Sequence, residues 1–81
     1  MLRIEAKTKL SPKQAIERAI KFFGPGGYGM KVRESSEDGA AFEGGGGGVI
    51  VNARLDAKGA TVEIESHEWD FQAKEFLRQI K

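Results

Sequence analysis

Four stretches of this chain carry apolar side chains at every second position. Leu2, Ile4 and Ala6 alternate with Arg3, Glu5 and Lys7. Met30 and Val32 alternate with Lys31 and Arg33. Val49, Val51, Ala53 and Leu55 alternate with Ile50, Asn52 and Arg54, and Val62 and Ile64 with Thr61, Glu63 and Glu65. Successive side chains of a strand point to opposite faces, so each stretch reads as a strand with one dry and one wet face. Ala40-Ala41-Phe42-Glu43 reads as a further, short strand. Such strands do not suit a parallel sheet buried on both sides. They suit an antiparallel sheet covered on one face.

The cover comes from two segments with helical spacing. Ser11 can cap the first free amides of a helix, Pro12 suits its first position, and Gln14 completes a capping box. Ile16, Ala19, Ile20 and Phe23 then share one face, widened by Ala15 and Phe22. Gly24-Pro25 stops this helix, with Gly24 predicted to take a left-handed cap, so it spans residues 12–23. Near the other end, Trp69, Ala73, Phe76, Leu77 and Ile80 form a second stripe. Ser66 is its predicted cap. Glu68 and Asp70 are placed in its first turn, where the helix dipole favours carboxylates. Ser35 to Gly39 and Asp56 to Gly59 read as turns between strands.

The predicted fold is an α+β two-layer sandwich in the order β-α-β-β-β-β-α, a single domain over residues 1–81. Its antiparallel sheet has four to five strands, with both helices on one face. Strands 2 to 5 run as a meander, and strand 1 pairs beside strand 5. The outer face would show Arg3, Lys7, Lys31, Arg33 and Arg54 among Glu5, Glu43, Glu63 and Glu65. Cross-strand ion pairs are the expectation there.

Charge and composition exclude more functions than they assign. Thirteen basic and twelve acidic residues leave a net charge of +1, with no basic stripe. Nucleic-acid binding by phosphate neutralisation is therefore not expected. No apolar run approaches the ~20 residues of a membrane helix. The alternating start lacks the apolar core of a secretory signal, and a cytoplasmic location is expected. The chain has no cysteine, hence no disulfide and no thiolate metal site. His67 lies near Glu65, Glu68 and Asp70, but no second histidine can join it. No nucleophile is marked, since Ser11 and Ser66 read as caps. No catalytic residue, metal ligand or cofactor is predicted.

Ten of the eleven glycines fall between Gly24 and Gly48. Gly24-Pro25-Gly26-Gly27-Tyr28-Gly29 matches G-x-G-x-x-G in spelling only. In a dinucleotide site that motif leads from a strand into a helix N-terminus. Here a helix comes first, and the negative end of its dipole would repel phosphate. Gly44 to Gly48 interrupt two strands. Five ordered glycines cost a few kcal/mol relative to alanine, at roughly 0.5–1 kcal/mol each. Either the run is a disordered hairpin tip, or a partner or another backbone comes too close for any Cβ.

The element order, with Gly24 to Gly29 after the first helix and the terminal run Trp69 to Ile80, resembles the helix-grip (START-like) superfamily. The resemblance implies a sheet wrapped around the last helix and an apolar cavity for a hydrophobic ligand. The chain is far shorter than such domains and lacks strands and a second helix of theirs. Phe42, Trp69 and Phe76 are expected to fill the space. The leading expectation is a small non-enzymatic binding or interaction domain that uses its glycine-rich loops. Tyr28, Gly45, Gly46, Gly47, Ile50 and Phe71 are the candidate contacts with a protein or a small hydrophobic ligand. The alternative is a reduced carrier, or a cyclase-like enzyme, on the helix-grip scaffold. Both a monomer and a homodimer are compatible with the sequence.

Overall fold

The alternation and the two stripes assemble as one sheet under two helices. A computed structural model describes all residues 1–81. Its strands are β1 (Leu2–Thr8), β2 (Lys31–Ser35), β3 (Gly39–Gly44), β4 (Gly47–Asp56) and β5 (Gly59–His67). The helices are α1 (Pro12–Phe23) and α2 (Asp70–Ile80). The sheet order is β1-β5-β4-β3-β2, antiparallel throughout. This is the α+β sandwich read from the sequence. The strand before α1 lies at one edge and the strand after it at the other, so α1 crosses the sheet between them. It packs over β3, β4 and β5, while α2 packs over β1 and β5.

The start of α1 is as read. Ser11 Oγ accepts from the Gln14 N–H at 3.2 Å, and Gln14 Oε1 accepts from the Ser11 N–H at 3.0 Å. Its end is different. Gly24 is extended, at φ −73° and ψ −167°, rather than left-handed. Its N–H still donates to Ile20 O, and Tyr28 and Met30 donate to Phe22 O and Phe23 O. The glycine loop thus folds back and satisfies the free carbonyls itself.

The start of α2 also departs from the reading. Ser66 is buried at the end of β5, which runs on to His67, and it donates to Asp70 Oδ1 at 2.8 Å. It makes no backbone cap, and α2 begins at Asp70 without one. Glu68 precedes the helix in a left-handed conformation, φ 67°. The reason is geometric: β5 needs its last residues to pair with Gly48 and Val49, which pushes the helix start along the chain.

Phe42, Phe23, Phe76, Phe22, Tyr28 and Trp69 form a continuous chain of rings, with neighbouring centroids 5.3–5.9 Å apart. It joins β3, both helices and the glycine loop, and packs α1 against α2 and against β3. Leu55 was read as inward-facing but is 79% exposed. β3 starts opposite Asn52, so β4 runs past it and its tip has no neighbour on that side.

Candidate docking site on the open sheet face

The glycine run is a tight hairpin. Gly44 pairs with Gly47, and Gly45 and Gly46 close the turn at φ +56° and +79°. A two-residue turn with both central residues left-handed matches the twist of its strands. Gly47 and Gly48 lie within β4 beside the end of β5. A Cβ on Gly47 would collide with the His67 carbonyl oxygen and stand 2.9 Å from Glu68 Cβ. One on Gly48 would stand 2.8 Å from Phe42 O. The close approach read from the sequence is therefore that of neighbouring backbone. Gly46 has open space but a left-handed backbone, and Gly44 alone combines room, its nearest neighbour being Met30 at 3.5 Å, with a backbone outside the left-handed region.

The hairpin is pinned on the helix side. Trp69 Nε1 donates to Gly44 O at 2.9 Å, and its ring stands against Gly45. Tyr28 packs edge-on against Trp69 and Phe22, and its hydroxyl donates to Glu75 at 3.2 Å. Partial desolvation, then the Glu75 carboxylate, raise the Tyr28 phenol above its ordinary value of 10.0. Tyr28, an expected contact residue, is 44% exposed, and its ring fastens the first glycine loop to α2.

On the other side the hairpin base opens onto the uncovered sheet face. Gly48 sits on β4 between Glu43 and His67. Two residues on, Ile50 sits between Ala41 and Glu65 and is 44% exposed. Without a side chain at Gly48, a hollow of about 220 Å³ remains, walled by Arg33, Glu43, Ile50, Glu65 and His67. Its rim is charged and partly paired. Arg33 lies 3.7 Å from Glu43, and Glu65 pairs with Arg3; farther along the same face Arg54 lies 3.7 Å from Glu5. These are the cross-strand pairs expected of the outer face.

The structure divides the sequence-predicted contacts between two faces. Gly47 and Ile50 meet at the hollow. Tyr28 lies on the helix side, and Phe71, 65% exposed, lies on α2 one turn before Glu75. Gly45 and Gly46 form the turn between the two faces. Arg33, Glu43, Glu65 and His67 were not among the predicted contacts. Only the register of four strands, β2 to β5, brings them together, and no local pattern marks it. Nowhere do three His, Cys, Asp or Glu side chains converge in a geometry that holds a metal ion. No helix is long and apolar enough to cross a membrane. Compared with protein-family models, curated proteins and solved structures, the chain matches none.

Proposed function

We propose that the chain is a small non-enzymatic interaction domain, working in the cytoplasm, that binds a protein partner on its open sheet face. The observation behind this reading is the hollow at Gly48. It sets a half-exposed Ile50 in one wall, with the charged Arg33, Glu43 and Glu65 in the others. An apolar centre with a polar rim is the usual anatomy of a protein interface. A partner would insert one apolar side chain beside Ile50 and meet Arg33, Glu43 and Glu65 around it.

The carrier reading, implied by the helix-grip resemblance, has less support. It needs an apolar cavity of roughly 300 Å³ or more. The rings of Phe23, Phe42 and Phe76 occupy the space where one would lie.

The test is NMR shift mapping of labelled protein in cell extract. Binding is expected to move the amides of Gly48, Ile50 and His67. Ile50→Lys should abolish those shifts and change thermal stability little, because the position is exposed and Lys would stand opposite Glu65. Shifts confined to Phe23, Phe42 and Phe76 on adding a fatty acid would favour the carrier. No shift at the hollow in any extract would overturn the interaction reading.

A further inference from the structure

The two edges of the sheet are built differently. β2 shifts register between Val32 and Glu34, exposes four of its five residues, and carries Lys31, Arg33 and Glu34. Bulges and charges are the devices that keep an edge from pairing. β1 carries three charges as well, Arg3, Glu5 and Lys7, but it has neither bulge nor proline, and it pairs with β5 in unbroken register from Leu2↔Ser66 to Thr8↔Ala60. Its inward side chains Leu2, Ile4 and Ala6 are only half-buried, while Val62 and Ile64 beside them are fully buried. The difference is that β1 has a neighbour on one side alone.

We infer that the open edge of β1 pairs with β1 of a second copy of this chain, antiparallel, with Ile4 opposite Ile4 on a twofold axis. Charge and apolar pattern select this register. Pairing centred on Glu5 sets Glu5 against Glu5 and Arg3 against Lys7, both repulsive. Pairing centred on Ala6 is electrostatically sound but sets Ile4 against Thr8. Pairing centred on Ile4 sets Leu2 against Ala6, Ile4 against itself, and Arg3 against Glu5 twice. It also answers a local conflict. Glu5 stands opposite Glu63 within the chain, with Arg54 3.7 Å away across β5, and Arg3 of the second copy adds a further cation on its open side. The product is a continuous ten-stranded sheet with its helices on one side.

Light scattering over a concentration series tests this. The expected mass is twice 8.9 kDa at high concentration. Arg3→Glu or Glu5→Arg alone should halve it, and the double exchange should restore it. Both residues are exposed, so the fold survives each change, as circular dichroism will report. The natural chain has no cysteine, so Ile4→Cys supplies a single thiol on the axis. Directly paired Cα atoms lie about 4.5–5.5 Å apart, within disulfide reach. Mild oxidation should cross-link Ile4→Cys and leave Ala6→Cys a monomer. The inference is overturned by an 8.9 kDa mass at every concentration, by single exchanges that remain dimeric, or by equal cross-linking of the two thiols.

Discussion

Glycines that look alike in the sequence do different work at the scale of single residues. Gly45 and Gly46 are held by a turn that needs positive φ, and Gly47 by the His67 carbonyl across the strand. Gly44 is held by neither. Gly47→Ala is therefore expected to cost about 1–3 kcal/mol, as overpacking against rigid backbone does. Gly44→Ala should be neutral or stabilise by up to about 1 kcal/mol, by restricting the unfolded chain. Chemical denaturation of the two variants checks this. Equal effects would mean that the hairpin is not packed against β5. The sequence shows that glycine is abundant here. It does not show which glycine is required, because the obstructing atom belongs to a residue twenty positions away.

At the scale of elements, the α1 capping box was legible because all its atoms lie within four residues. The start of α2 was not, because the pairing of β5 with β4 decides it. The β4–β5 hairpin lies between these cases. Asp56 at its turn accepts from the Lys58 N–H at 2.9 Å and from the Thr61 hydroxyl at 2.9 Å. The Lys58 amide first, then Thr61, with Lys7 nearby, hold its carboxyl below the ordinary 3.8. A carboxylate whose pKa is lower in the folded chain stabilises the fold above the unfolded value. That contribution disappears as the pH falls through the folded value. Asp56→Asn should therefore flatten the acid limb of stability against pH below about pH 4. Parallel acid limbs in urea titrations of the two proteins would show that Asp56 is not so held.

For the whole molecule, a single aromatic cluster ties the layers together. Six of the seven aromatic residues belong to it, and Phe71 alone stands outside. Phe76 is 1% exposed and touches the rings of Phe22 and Phe23, the last two residues of α1. Phe76→Ala should cost about 3–5 kcal/mol, a large part of the roughly 5–15 kcal/mol that holds a small domain folded. Calorimetry should show a much lower and broader transition. A loss under about 1 kcal/mol would mean that α2 is not anchored through this ring. The sequence by itself determined the element order, the antiparallel sheet and the charged outer face. Each follows from a local period or from a cap a few residues long. Only the tertiary structure decided that the glycine hairpin is packed against β5, that Tyr28 fastens a loop, and that Ile50 shares a hollow with His67, Glu43 and Arg33. Those facts depend on strand register, which sets residues far apart in the chain side by side and leaves no mark on the sequence around any one of them.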